Sequence, residues 1–183
     1  MKSPSEQSNP NIVEGEPAWQ SLGNVPELQD NHYFSDYVNA SRETYAAHHV
    51  NFEDIELSSD GISARLEFPV EGDMQANPGV LHGGLSVFYA DTVVAPLVMA
   101  RHPECQTLTT SLAVRFTRPG RVGSRYLAEA QFQSTATEGE GQKQIEVEIY
   151  DVSIKDTSTD KVILEGNVHY YPKPLSPALK EAN

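Results

Sequence analysis

The chain has 183 residues, and 26 acidic against 13 basic side chains give it a formal net charge of −13. Such a length is typical of one domain, or of one domain with an extension. The negative charge argues against a nucleic acid or an anionic membrane as a partner. Only one cysteine is present, so no intrachain disulfide can form. The opening residues lack the apolar core of a secretory signal, and we expect a cytoplasmic protein.

The first part of the chain changes character near residue 26. Residues 1–26 are rich in Ser, Pro, Asn, Glu and Gly and predict a flexible tail that Trp19 could anchor. Pro26 and the acidic residues after it are typical of a helix start. The apolar spacing that follows predicts a helical extension over residues 27–48.

The main domain is predicted to span residues 49–172, with a second tail over residues 173–183. Residues 51–70 read as a β-hairpin, because two strand-like segments flank the turn dipeptide Asp60-Gly61. A long apolar stretch after Gly83 predicts a helix that other elements surround. Its apolar run of 16 residues is too short for a membrane span. Pro96 predicts a kink or an early end of this helix.

The remainder of the domain is predicted to form strands. The segment that begins "TLTTSLAVRF" alternates apolar with polar residues and places Leu108, Leu112, Val114 and Phe116 on one face. Three more strands follow, the second of which changes phase and predicts a β-bulge. The short connections favour a meander of antiparallel neighbours. We therefore predict an α+β fold in which an antiparallel sheet wraps one long central helix, and a dimer that covers the exposed edges.

The central helix carries an unexplained charge. Asp91 is the only charged residue between Gly83 and Ala100, and it follows the tripeptide His82-Gly83-Gly84 by a few residues. The exposed N–H groups and positive dipole end of a helix start can stabilise an oxyanion. The tripeptide by itself is equally typical of a loop-to-helix junction, and a lone aspartate can simply bond a neighbouring hydroxyl.

Spacing separates the two features within one chain. Asp91 lies about 12 Å along the helix from Gly83. Two helices that pack antiparallel across a dimer axis would bring each Asp91 to the partner's helix start. This arrangement predicts two equal sites per dimer, each with a carboxylate that faces an oxyanion hole.

These segments resemble a known family. "GVLHGGLSVFYADTVVA", followed by "TLTTSLAVRFTRPGRVGSRYLAEA", is similar to the hotdog-fold acyl-CoA thioesterases, with the phenylacetate-degradation (PaaI-like) branch as the best match. The resemblance covers about residues 48–172. It implies the hotdog fold, a homodimer or homotetramer, hydrolysis of an acyl-CoA, and neither a metal nor a cofactor.

The resemblance also implies roles for matching residues. Asp91 would act as general base on water or as nucleophile on the thioester. The Gly83 N–H would polarise the thioester carbonyl with support from His82, and Thr109 would help to position the water. Family members carry an Asn six residues before the His, where this chain has Ala76; Asn77 is the nearest substitute.

Further residues are predicted to bind the substrate. Gly84, Val87, Phe88 and Tyr89 of the helix would line an apolar acyl pocket together with the partner chain. Four arginines cluster within a short segment, at positions 115, 118, 121 and 125. Arg115, Arg118 and Arg121 would bind the phosphates of coenzyme A, although a solvated strand edge would look the same.

Two other functions remain compatible with the sequence. The protein could hydrolyse acyl groups held on a carrier protein, or it could bind an acyl compound without turnover. An acidic carrier suits a protein of this charge poorly unless the arginine segment leads the docking.

Overall fold

The computed structural model describes residues 17–29, 35, 50–141 and 143–175. The helical extension predicted over residues 27–48 lies outside the described residues except for 27–29 and 35, as do residues 1–16 and 176–183 of the two tails. The described helices are α1 (Pro26–Gln29), α2 (Gly83–Thr92) and α3 (Ala95–Arg101), with short 3-10 turns at Leu22–Asn24, Phe52–Asp54 and Gly72–Met74. The described strands are β1 (Trp19–Ser21), β2 (Glu56–Ser58), β3 (Ser63–Pro69), β4 (Gln75–Asn77), β5 (Val80–Leu81), β6 (Cys105–Phe116), β7 (Arg125–Glu138), β8 (Ile145–Asp156) and β9 (Val162–Pro174).

Seven of these strands form one antiparallel sheet in the order β1-β2-β3-β7-β8-β9-β6, and β4 pairs separately with β5. The predicted hairpin is present as β2 and β3, with Gly61 at a φ of 70° in its turn. A left-handed φ of this kind favours glycine, which explains the Asp-Gly dipeptide. The prediction of one antiparallel sheet with one central helix is confirmed.

The predicted meander is wrong for β6. This strand pairs with β9 at the sheet edge, whereas β7 pairs with β3 and β8. Residues 117–124 connect β6 to β7, and their backbone is bonded to Gly79, Leu81 and Val70 on the way. Eight extended residues reach about 26 Å, enough to pass the two strands between β6 and β7.

The central helix packs against one face of the sheet. Ala90, Val93, Leu97 and Met99 are all but inaccessible to solvent, and the Tyr89 ring stacks on that of Phe68. Residues 83–101 are long and apolar enough to cross a membrane, but 67% of this apolar segment is buried inside the fold. The stretch is therefore accounted for as the core helix.

The predicted kink in this helix occurs just before Pro96. Helix α2 ends at Thr92, and α3 begins at Ala95 with Pro96 in its first turn. Proline lacks the N–H that would continue the hydrogen-bond ladder, but it is tolerated in the first turn of a helix. The break follows Thr92, so Asp91 lies in the last turn of α2.

The sheet contains three irregularities of register in its long strands, one of which lies opposite Ile154 and Lys155 in the β8–β9 pairing. In β6 the register shifts between Thr109 and Ser111, and in β7 it shifts between Phe132 and Ser134. The predicted bulge in β8 is thus carried by the adjacent strand β7, where Gln133 is the extra residue. Strand β8 itself keeps Glu148, Tyr150, Val152 and Ile154 buried at alternate positions.

Residues 17–26 are not a free tail. Strand β1 pairs with β2, and the guanidinium of Arg65 lies 4.1 Å from the centre of the Trp19 ring. Leu22 and Val25 are buried in the core. Composition predicted a tail because the apolar residues that pin this segment are few and widely spaced.

Candidate active site

The start of α2 exposes backbone donors. His82 is the N-cap, its Nδ1 accepts a hydrogen bond from the Gly84 N–H at 2.9 Å, and its own N–H donates to the Met74 carbonyl at 2.8 Å. The His82 carbonyl accepts from Leu85 and Ser86. Gly83 is the first helical residue, and its N–H therefore has no acceptor within the helix. The His82 ring is committed to Gly84 through Nδ1, which leaves Nε2 as the nitrogen that can face a ligand.

A cavity of about 390 Å³ opens beside Gly83 on the side of β6. Its lining comprises Leu81, Gly83, Ser86, Phe116, Thr117, Arg118, Pro119 and Gly120. The Phe116 side chain is 53% exposed and lies 3.4 Å from the position that a Cβ on Gly83 would occupy. Both Gly83 and Arg118, two residues predicted from sequence, border this one space.

A second cavity of about 380 Å³ lies on the other side of the helix start. It is lined by Asp73, Gln75, His82, Gly84, Leu85 and Phe88. Gly84 and Phe88 are therefore placed together as predicted. Val87 packs half-buried against the core, and Tyr89 is fully buried against Phe68, so neither is among the lining residues.

Asp91 is held by two hydroxyl groups. Thr109 Oγ1 donates to Asp91 Oδ1 at 2.9 Å, and the Tyr170 hydroxyl donates to the same oxygen at 2.8 Å. The predicted pair of Asp91 and Thr109 is thus brought together. Tyr170 also contacts Asp91, but the sequence analysis did not select it. It is one of two adjacent tyrosines on the last strand, and no motif marked either of them.

The β6 bulge explains how Thr109 reaches the helix. Thr110 has no partner in the β6–β9 register, so the alternation changes phase there. As a result Thr109 faces Asp91 while Leu112 and Val114 still pack on the core. Leu108, which the sequence placed on the same face as Leu112, is instead 42% exposed.

Asn77 is placed apart from the rest of the predicted set. It is exposed on β4, where it pairs with Val80, and it lines neither of the two cavities. The side chain that reaches the His82 cavity from this hairpin is that of Gln75, whose Oε1 accepts from the Gly79 N–H at 3.0 Å. The register of β4 shifts at Ala76, so Gln75 and Asn77 pair with adjacent residues of β5 and face opposite sides of the hairpin. The number of residues before His82 therefore did not indicate which of the two would line the cavity.

The arginines have different surroundings. Arg115 forms an ion pair with Glu165, and Arg125 with Glu67 at 2.5 Å. Arg118 donates from Nη1 to the Val162 carbonyl at 3.1 Å and lines the Gly83 cavity. Arg121 is exposed on the connection to β7. Within the described part of the chain, Arg118 is therefore the member of the cluster that lines the cavity and forms no ion pair with an acid.

A buried charged group lies behind Asp91 and was missed by the sequence reading. The Glu148 side chain is 5% exposed, and its Oε1 accepts from Arg101 Nη2 at 2.9 Å and Nε at 3.2 Å. The Tyr150 hydroxyl donates to Oε2. His102 Nε2 lies 3.1 Å from Oε1 but is not aligned for a hydrogen bond. The apolar residues Ile145, Val147 and Ile149 alternate along the sequence and predict that Glu148, which lies between two of them, is on the polar face.

Burial alone would raise the pKa of Glu148, but the hydrogen bonds from Arg101 and Tyr150 outweigh it, so the pKa lies below the ordinary 4.5. Burial, followed by the hydrogen bond to Glu148 and then by the Glu148 charge, raises the pKa of Tyr150, which stays a hydrogen-bond donor. The ion pair thus stabilises the fold above the unfolded-state pKa of Glu148. This contribution is lost as the pH falls through the lower, folded-state value.

We expect Glu148→Gln to lower the free energy of unfolding by about 2 kcal/mol near pH 7, because Arg101 loses its charged partner but is a quarter exposed and can be partly solvated. Urea unfolding at several pH values measures this. The difference from the wild type should shrink as the pH falls below about 4. Glu146→Gln, at an exposed position of the same strand, is the control and should change little. Equal losses in both variants, or a difference that grows in acid, would contradict the assignment.

Comparison with known proteins gives a match to one family profile and to several solved structures. The profile of the thioesterase superfamily matches residues 78–138, which include Gly83, Asp91, Thr109 and the arginines. No curated protein sequence matches the chain.

Solved structures share the architecture. The PaaI protein from the phenylacetic acid degradation operon of E. coli aligns with a TM-score of 0.58 and 19% identity, over 83% of this chain and 96% of that one. Zebra fish thioesterase superfamily member 2 aligns with a TM-score of 0.56 and 16% identity, over 74% and 92%. An acyl-CoA hydrolase from Staphylococcus aureus, solved with butyryl coenzyme A, aligns with a TM-score of 0.52 and 16% identity, over 61% and 66%.

At these identities the structural matches establish the fold, while the profile match concerns the stretch that holds the helix start, the aspartate and β6. The chain therefore has the hotdog fold, and its residues 78–138 match the profile of the thioesterase superfamily.

Proposed function

We propose that the protein hydrolyses acyl-CoA thioesters to a free acid and coenzyme A, as a PaaI-like member of the thioesterase superfamily. The observation that carries this proposal is the half-buried Asp91 carboxylate, held by Thr109 and Tyr170 on a helix whose glycine start opens into a cavity. A carboxylate can supply the base or nucleophile for thioester hydrolysis, and a helix start with free donors can stabilise the oxyanion that forms. An acyl-CoA hydrolase solved with butyryl coenzyme A shares the fold, which agrees with this substrate class.

The chemistry follows from these two groups. Asp91 either takes a proton from water as the water attacks the thioester carbonyl, or attacks the carbonyl itself to form an anhydride that water then cleaves. In both routes negative charge develops on the carbonyl oxygen, where the Gly83 N–H donates a hydrogen bond. Collapse of the tetrahedral intermediate breaks the C–S bond, and coenzyme A leaves as a thiolate that is then protonated.

The site needs two copies of the chain. Asp91 and Gly83 lie about 12 Å apart along one helix, too far to act on one carbonyl. Strand β6 is an edge of the described sheet, is 12 residues long, and has the exposed side chains of Leu108 and Phe116. A long edge with apolar side chains favours pairing with another chain. We infer a homodimer, or a tetramer built from two dimers, in which each Asp91 faces the partner's Gly83.

Arg118 is proposed to bind a phosphate of coenzyme A. Arg118 lines the Gly83 cavity and forms no ion pair with an acid among the described residues, whereas Arg115 and Arg125 do. Arg121 is exposed nearby and would add to the positive charge at the cavity mouth. The remaining proposed contacts are those of Gly84 and Phe88 with the acyl group in the second cavity.

We expect Arg118→Ala to raise KM for an acyl-CoA about tenfold and to leave kcat nearly unchanged, because a phosphate contact remote from the thioester stabilises ground state and transition state alike. Initial rates over a range of substrate concentrations measure this. Lys143→Ala is the control. It removes the same amount of positive charge from the turn between β7 and β8, whereas Arg118 lies before the start of β7, and it should leave KM unaltered. A similar KM change in both variants would assign the effect to overall charge instead.

The proposal is tested by a panel of short, medium, long and aryl acyl-CoAs, with release of the coenzyme A thiol as the signal. Matched acyl groups on a carrier protein form the second arm. Turnover of one or more coenzyme A esters, with lower kcat/KM for the carrier-bound forms, is the expected result. A preference for the carrier esters would change the substrate class, and tight binding with no thiol release would make the protein a binding module. A cytoplasmic location remains part of the proposal.

A further inference from the structure

The two hydroxyls that hold Asp91 arrive from adjacent strands. Thr109 of β6 and Tyr170 of β9 are direct cross-strand partners, and both donate to Oδ1 of Asp91. The Tyr170 hydroxyl also lies 3.0 Å from the main-chain oxygen of Asp91, at the break between α2 and α3. The sheet thus fixes both the carboxylate and the backbone that carries it.

This arrangement makes the two carboxylate oxygens unequal. A carboxylate oxygen accepts about two hydrogen bonds, and Oδ1 already receives two. Among the described residues no hydrogen-bond donor contacts Oδ2. We propose that Tyr170 is a positioning residue that, together with Thr109, commits Oδ1 and leaves Oδ2 as the oxygen that reacts with water or with the thioester.

The inference rests on the proposed function and alters the expected role of Thr109. With its hydroxyl proton directed at Asp91, Thr109 can only accept a hydrogen bond from the attacking water. Its main effect is then on the orientation of the carboxylate, which it shares with Tyr170.

The position of Tyr170 is itself constrained by a second row of side chains. Its ring is 2% exposed and meets the Tyr150 ring edge-on, with 6.3 Å between centroids and an interplanar angle of 88°. The Tyr150 hydroxyl is bonded to Glu148, which Arg101 holds. Tyr170 and Glu148 are also cross-strand partners. The buried ion pair therefore fixes the aromatic rings that present the Tyr170 hydroxyl, and a well-fixed donor restricts the rotation of Asp91.

The test compares variants that differ by one hydroxyl. Tyr170→Phe keeps the ring and removes the donor, Thr109→Val removes the other donor at nearly constant volume, and Thr109→Ser keeps it. We expect Tyr170→Phe and Thr109→Val each to lower kcat for an acyl-CoA about tenfold with little change in KM, because the loss concerns the orientation of the reacting group. Thr109→Ser should retain most of the wild-type kcat. Unfolding curves of each variant confirm that the fold persists.

The wild type and Asp91→Asn are measured beside them to separate the two hypotheses. If the wild type is active and Asp91→Asn is not, but Tyr170→Phe keeps the wild-type kcat, the positioning role is wrong while the proposed function stands. A rise in KM without a fall in kcat would also contradict it. If the wild type hydrolyses none of the esters in the panel, the proposed function and this inference both fail. In the Asp91→Asn background, Tyr170→Phe should cause no further loss, whereas a general structural effect would add to it.

Discussion

Asp91→Asn is expected to lower kcat for acyl-CoA hydrolysis by about 10²–10⁴-fold, because an amide is neither a useful base nor a nucleophile at neutral pH. The variant should remain folded, since the oxygen of the introduced amide can still accept from Thr109 and Tyr170. Thiol release measures the rate, and unfolding in urea measures the stability. Asp151→Asn, at an exposed site on β8, is the matched control and should keep the wild-type rate. Full activity of Asp91→Asn would remove this residue from the mechanism.

A single turnover in ¹⁸O-labelled water extends this prediction to the two routes. If Asp91 is a general base, the acid formed in the first turnover contains oxygen from the labelled water. If Asp91 is a nucleophile and water cleaves the anhydride at the aspartyl carbonyl, the first product is unlabelled and the label enters the Asp91 side chain. Mass spectrometry of the product and of the peptide that contains Asp91 distinguishes these outcomes.

The second large effect is expected at Gly83. Gly83→Pro removes one N–H group and should lower kcat by about 10²–10³-fold, the usual cost of losing an oxyanion donor. Proline is well suited to the first position of a helix, where the N–H makes no helical bond. His82 has a φ of −63° and a ψ of 124°, the extended conformation that a following proline requires. Steady-state kinetics on folded protein measures the effect.

Gly83→Ala is the control for this substitution. It keeps the N–H and adds only a Cβ, which would meet Phe116 at an ordinary contact distance of 3.4 Å. Its kcat should therefore stay much closer to that of the wild type. If the alanine and proline variants lose activity equally, crowding at the helix start rather than the lost donor is responsible.

The same two variants test whether the site is shared between subunits. In a mixed dimer of Asp91→Asn and Gly83→Pro chains, one site combines the intact glycine of one chain with the intact aspartate of the other. Random assembly after co-expression should restore about a quarter of the wild-type sites. If the two inactive variants form mixed dimers and these dimers are also inactive, Asp91 and Gly83 of one site come from the same chain.

Local patterns in the sequence predicted the elements of this fold well. The hairpin turn at Asp60-Gly61, the buried helix after Gly83 and the break at Pro96 each depend on a few neighbouring residues, and the structure contains all three. Sheet order was beyond such patterns. Short connections suggested that β6 and β7 are neighbours, but the eight-residue link instead carries the chain past β9 and β8.

The candidate site shows the same division. Residue type and spacing alone marked Asp91, Gly83 and the arginines, because an isolated charge in an apolar helix and a glycine pair at its start are unusual. Residue type and spacing could not distinguish Arg118 from Arg115. Arg115 is paired with Glu165 of the neighbouring strand, whereas Arg118 lines the cavity, and both facts depend on the tertiary structure. Residue type and spacing also could not show whether Asn77 or Gln75 lines the His82 cavity. That depends on how the β4–β5 hairpin lies against the helix start.

By itself, the sequence determined which residues are candidates for the chemistry and which segments become helix or strand, because propensity and periodicity act over a few residues. Only the tertiary structure decided what surrounds Asp91. A single bulge at Thr110 turns Thr109 rather than Leu108 toward the helix, and strand pairing brings Tyr170 and Glu148 behind it from far along the chain. These contacts join residues separated by up to 79 positions, so they arise from packing and register, which no local pattern encodes.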